Sequence, residues 1–154
     1  MFNYPGGSPL SQSRFVFLAL LSAALMLPQP APAQRTVVVR GMDYAYQAPD
    51  TVAAGPVTFV FENVGTVRHE LVIARLKSGH TLGDVIAAKT VEERRSHFDV
   101  IFGLLVAEPG QPAPARLLTE LTKGETYALI CNLRDAPDRP VHLAQGMGHM
   151  LHVR

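Results

Sequence analysis

From residue 36 onward, apolar side chains recur at every second position in short runs separated by turn residues. That spacing is the mark of a sandwich or barrel, not of helices alternating with parallel strands. The first run is 36–40 (TVVVR). Gly55-Pro56 introduces 57–62 (VTFVFE), where Val57, Phe59 and Phe61 fall on one face and Thr58 and Glu62 on the other, the pattern of a half-buried antiparallel strand. Asn63-Val64-Gly65 supplies a turn, and 69–76 (HELVIARL) reads as the partner strand, with His69, Leu71 and Ile73 sharing a face. Runs at 117–121 and 127–131 flank Lys123-Gly124, an expected hairpin turn. Tyr127, Leu129 and Cys131 again share a face, so Cys131 closes a strand and points inward.

One stretch changes period. Leu82, Val85, Ile86 and Lys89 follow helical spacing, with Thr81 placed as an N-cap and Asp84 three residues later, which predicts one inserted helix over about 81–95. Its charged end, Glu92 to Arg95, reads as a solvated face. The segment 108–115 (EPGQPAPA) reads as an irregular loop, and no repeat or second domain boundary is visible.

The first 33 residues differ from the rest. Arg14 is their only charged side chain, the apolar run 15–27 (FVFLALLSAALML) follows it, and Ala31-Pro32-Ala33 offers a small-residue cleavage site. A membrane-spanning helix needs about 20 apolar residues, whereas a secretory core needs about 7 to 15. The expected organisation is therefore a signal peptide at 1–33 and one exported domain at 34–154, periplasmic or secreted and free of the membrane after cleavage. Without Arg14 the domain keeps 13 of the chain's 14 Lys+Arg against 13 Asp+Glu. The charges are interspersed, with no basic stripe, which argues against a nucleic-acid partner.

Export makes the cysteine count informative. In an oxidising compartment cysteines normally pair, yet Cys131 is alone. It is either a buried small hydrophobe or a metal ligand, since a thiolate held on a metal is protected from oxidation and exchange. Four candidate ligands stand at strand ends or in loops: His69 upstream, then Cys131, His142 and Met147 close together. Two imidazoles, a thiolate and a weak thioether make the donor set of a blue copper centre. Met150 competes with Met147 for the thioether role; Met147 is preferred because it precedes the last strand. The tail from Met147 to His152 also contains His149 and Met150. It reads either as a strand with alternating faces or as a second, looser copper-collecting site. Glu70 beside His69 does not make a zinc-protease motif, because no second histidine follows four residues after His69. Tyr127 is expected to form a structural corner of the sandwich.

At these residues the chain resembles the cupredoxins, the plastocyanin- and azurin-like copper proteins, and most nearly their exported single-domain members. The resemblance rests on Asn63-x-Gly65-x-x-x-His69-Glu-Leu, on Gly124-x-x-Tyr127-x-x-x-Cys131, and on His142 with Met147 before a final strand. It implies an all-β Greek-key sandwich of about eight strands. It also implies one copper ion per chain, held by His69, Cys131 and His142 with Met147 axial. The implied role is one-electron transfer between Cu(II) and Cu(I) without enzymatic activity, by a monomer that meets a redox partner protein. The alternative is a copper storage or delivery protein that meets a copper-handling partner. One departure stands out: ten residues, 132–141 (NLRDAPDRPV), separate Cys131 from His142, where plastocyanin- and azurin-like loops have only a few.

Overall fold

The computed structural model describes residues 34–154, so the expected signal peptide lies outside the described residues. The chain runs β1 (Arg35–Met42), β2 (Ala45–Gln47), β3 (Thr51–Val52), β4 (Gly55–Asn63), β5 (His69–Leu76), α1 (Leu82–Ala87), α2 (Val91–Ser96), β6 (Phe98–Ala107), β7 (Leu117–Leu121) and β8 (Thr126–Ile130). A 3-10 turn (His142–Gln145) and β9 (Gly148–Val153) complete it. One sheet has the order β2-β1-β4-β7 and the other β3-β9-β8-β5-β6, with β1 parallel to β4 and β3 parallel to β9.

The sheets pack on the alternating faces read from the sequence. Val37 and Val39 of β1, Phe59 and Phe61 of β4, Leu71 and Ile73 of β5, and Tyr127, Leu129 and Leu151 meet in one buried layer. On the outer face of the second sheet, Val72, Ala74, Leu76, Ala128 and Ile130 pack under Val85 of α1, Phe98, Val141 and Leu143. Strands β5 and β8 are thus covered on both sides, which is why HELVIARL and TYALI read as nearly continuous apolar runs.

Two expected hairpins are arches. Strand β4 lies in one sheet and β5 in the other, so 63–68 crosses the sandwich; likewise β7 and β8 lie in different sheets on either side of Lys123-Gly124. Both strands of an arch bury an inner face, so alternation alone cannot separate an arch from a hairpin. Gly124 sits at φ +84°, a left-handed conformation that favours glycine, and its N–H donates to Val153 O at 2.8 Å. Tyr127 makes the expected corner: it is fully buried, and its hydroxyl accepts the Thr122 N–H at 3.0 Å across that arch.

The single helix expected over 81–95 is two helices of six residues each. Thr81 and Asp84 form the capping box read from the sequence. Ala88 then turns extended, and Thr90 caps a second start by accepting the Glu93 N–H at 3.0 Å, while Lys89 N–H donates to the Glu93 carboxylate at 2.8 Å. A threonine that hydrogen-bonds its own turn favours a cap over a helix interior. Strand β6, absent from the sequence reading, runs along the sheet edge beside β5, with a bulge at Phe102 that breaks its alternation.

Replacing Tyr127 with Phe removes the acceptor of the Thr122 N–H while keeping the ring. The expected cost is about 1–3 kcal/mol, read as a lower guanidinium unfolding midpoint with an unchanged far-ultraviolet circular dichroism spectrum. An unchanged midpoint would show that the corner bond contributes nothing.

Candidate metal centre

The centre forms where β1, β4, β5 and β8 end together. Cys131 follows the last residue of β8, and its side chain is fully buried among the inner layer. His69 is the first residue of β5 and His142 the first of the 3-10 turn; they are 0% and 1% exposed. Nδ1 of His69 lies 3.1 Å from Nδ1 of His142, and Sγ of Cys131 lies 3.4 Å from the same His142 nitrogen. Three of the four expected ligands therefore bring their donor atoms within 4.8 Å of one another.

The far sides of both rings are set by carboxylates that the sequence reading missed. Nε2 of His142 lies 2.9 Å from Asp135 Oδ1, and Nε2 of His69 lies 3.5 Å from Asp43 Oδ1. An N–H of His142 directed to Asp135 leaves its Nδ1 as a lone pair, whereas Nε2 of His69 is buried without a hydrogen-bond partner. Two imidazole nitrogens 3.1 Å apart beside a sulfur need a cation or a shared proton between them. The donor set therefore fits a metal ion, and soft sulfur with borderline nitrogen selects among the first-row transition metals. Burial disfavours the charged imidazole and lowers the His69 pKa, with Asp43 opposing, so the neutral, ligating form is the one the site holds.

Each carboxylate is itself anchored. Tyr44 OH donates to Asp135 Oδ2 at 2.6 Å, and its ring meets the His142 and His69 rings edge-on at 5.1 and 6.4 Å. Tyr44 takes φ +63°, a left-handed conformation costing about 1 kcal/mol or more that these contacts offset. Asp43 accepts the N–H and the hydroxyl of Thr66, each at 2.7 Å, and those bonds, first of all, hold its carboxyl below the usual range. Asn63 folds the arch into His69: its Oδ1 accepts Gly65 N–H, and its Nδ2 donates to Val67 O at 2.8 Å and Ala107 O at 3.0 Å. A Cβ on Gly65 would collide with the Asp43 carboxylate, which gives the Asn63-x-Gly65 spacing its physical reason.

The long loop does not displace its histidine. His142 N–H donates to Leu133 O and Leu143 N–H to Cys131 O, both at 2.8 Å, so residues 132–141 are pinched off at their base. Cys131 N–H donates to Met147 O at 3.2 Å, and Met147 N–H to His142 O at 2.9 Å. Met147 is fully buried in the same layer as Cys131, and a Cβ on Gly41 would lie 3.2 Å from its Cε. Met150 lies opposite Ala128, which belongs to the outer layer, so it faces away from Cys131. The tail does not gather into a second site. His149 reaches Pro49 O at 3.2 Å and Asp50 at 3.5 Å, while His152 reaches Thr126 Oγ1 at 3.2 Å.

Two mixed sheets, with two histidines and a cysteine converging at one end, define a β-sandwich of the cupredoxin type. Similar solved structures include auracyanin from the photosynthetic bacterium Roseiflexus castenholzii, at 22% identity over 77% of this chain and 96% of that one, TM-score 0.50. Auracyanin B is 21% identical over 82% and 93%, TM-score 0.53. Rusticyanin from Thiobacillus ferrooxidans is 18% identical over 80% and 79%, TM-score 0.50. These likenesses establish the fold. No protein-family model and no curated protein matches the chain.

Removing the Asp135 carboxylate in Asp135→Ala frees the His142 ring and is expected to weaken metal binding about 10–100-fold, measured by competition with a chromophoric chelator. Equal affinity in variant and parent would show that Asp135 does not orient the ligand. Burial also pushes the Cys131 thiol up to about 11, against the N–H groups of Glu70 and Leu133 that favour its thiolate. In the metal-free protein Cys131 is therefore expected to resist thiol reagents until denaturant is added. Reaction of the folded protein at the rate of a free thiol would contradict its placement.

Proposed function

We propose that the chain is an exported, mononuclear copper protein that carries one electron at a time between partner proteins. The observation that supports this most directly is the buried meeting of His69 Nδ1, His142 Nδ1 and Cys131 Sγ at 3.1 and 3.4 Å. On this reading those three would be the strong ligands and Met147 would supply the weaker thioether. Bound copper supplies a Cu(II)/Cu(I) couple, because thiolate favours the reduced ion and imidazole suits both states.

The chain's own residues do the rest. Asp135 keeps the His142 imidazole in one tautomer, Asp43 places a carboxylate 3.5 Å from the His69 ring, and the backbone bonds among Cys131, His142 and Met147 hold the donors in place. Burial of all three donors suits transfer through the protein to a docked partner rather than a substrate reaching the metal, and we assign no enzymatic step. Rusticyanin is a copper protein and the Roseiflexus auracyanin has been reduced with dithionite, which agrees with the same chemistry here.

The partner is a redox protein, met at the end of the sandwich where Tyr44 covers the His142 ring. Met42 and Val64 lie exposed beside it, 41% and 56%, and give that end an apolar surface suited to brief docking of a monomer. Storage or delivery would draw support from a mobile 132–141 loop; the bonds at its base favour a carrier instead.

Titration with one equivalent of Cu(II) is expected to produce an intense thiolate-to-copper absorption band that bleaches with dithionite and returns on reoxidation. Cys131→Ser abolishes the band. A pale complex without thiolate character, or a band that survives Cys131→Ser, would sink the carrier assignment.

A further inference from the structure

The molecule has a second pair of facing imidazoles, at the opposite side of β5 from the buried centre. Nδ1 of His80 lies 2.9 Å from Nδ1 of His97, with ring centroids 5.0 Å apart and planes at 61°. The buried pair has nearly the same disposition, at 3.1 Å, 5.0 Å and 74°. Unlike that pair, His80 is exposed and His97 half-buried, and they have no sulfur beside them.

The pair is held from its backbone. His97 caps the C-terminus of α2, and its carbonyl accepts the Lys77 N–H at 2.9 Å. His80 N–H in turn donates to Lys77 O at 3.1 Å, after Gly79 turns the chain at φ +80°. Lys77 thus ties together the two segments that carry the rings. Thr81, next to His80, is fixed by the capping box with Asp84, whose carboxyl is held below its usual range first by Thr81 and, more weakly, by His97 and His80.

A shared proton suffices to hold the rings in the metal-free protein. The same separation is also that of two ligands on one ion: metal–imidazole bonds of about 2.0–2.1 Å set at right angles put their nitrogens about 2.9 Å apart, whereas tetrahedral angles put them about 3.3 Å apart. Right-angled nitrogen and oxygen ligation is the preference of Cu(II), and imidazole sites rank Cu(II) highest among divalent first-row ions.

We propose that His80 and His97 form a second, surface site for Cu(II), with solvent completing a tetragonal shell. The site shares no residue with the buried centre and does not depend on the function assigned to it. It takes the oxidised ion, since nothing soft is present to favour Cu(I).

The test is a titration of the full chain to three equivalents of Cu(II), followed by electron paramagnetic resonance and visible absorption, with Zn(II) as competitor. Beyond any signal from the buried centre, a tetragonal Cu(II) signal with nitrogen coupling is expected, displaced by Zn(II) only in excess. His80→Ala and His97→Gln should each weaken this second binding by about tenfold or more. Cys131→Ser should leave it in place, which separates it from failure of the buried centre. Two results would overturn the proposal: no second signal, or one that persists in the His80→Ala/His97→Gln double variant. A signal lost instead in His149→Ala or His152→Ala would equally overturn it by placing the ion on the tail.

Discussion

Four backbone hydrogen bonds close the end of the sandwich: Cys131 N–H to Met147 O, Leu143 N–H to Cys131 O, His142 N–H to Leu133 O and Met147 N–H to His142 O. They convert a segment of 17 positions, from Cys131 to Met147, into a frame whose chemically active side chains no longer depend on the length of chain between them. Loop closure costs rise by only about 0.6 kcal/mol per doubling of length, so a ten-residue excursion hanging from a paired base is tolerated. The site needs this frame because each donor comes from a different element, and no local sequence preference could hold them together.

The excursion also contributes to the site. Asp135 lies within it and returns to His142, so the loop brings the carboxylate that orients its own histidine. Tyr44 bonds to the other oxygen of Asp135 from the turn after β1 and covers both imidazoles. Asp43, its neighbour in sequence, lies 3.5 Å from the His69 ring and holds the arch that leads into β5. The buried imidazoles cost free energy unless their polar atoms find partners, and these half-exposed groups stand at the rim to supply them. That requirement couples the turn after β1, the arch before β5 and the long loop into one polar network around the donors.

The protein thus treats its two histidine pairs differently. One is sealed beneath Tyr44 with a thiol whose buried environment favours the uncharged form. The other is reached by solvent, with His80 exposed and His97 half-buried on the turn and helix end that precede β6. Burial, more than the donor atoms themselves, distinguishes a site that exchanges electrons through protein from one that exchanges an ion with solvent.

The sequence by itself determined which faces are buried, that strands dominate, and that His69, Cys131, His142 and Met147 are the chemically unusual residues. Those properties follow from a period of two, from turn residues and from side-chain chemistry, all local. It also located the first helix start, at Thr81, but placed Thr90 inside that helix where it caps a second one. Only the tertiary structure decided that 63–68 and 122–125 cross between sheets, that β6 pairs along the edge of β5, and that Asp43 and Asp135 face the histidines. Many of these contacts join residues far apart in the chain, as in Asp43 to His69 and Tyr44 to Asp135, the latter 91 positions apart. An alternating run looks alike whichever strand it meets, and a charged loop residue looks solvated until the fold brings a ring to it.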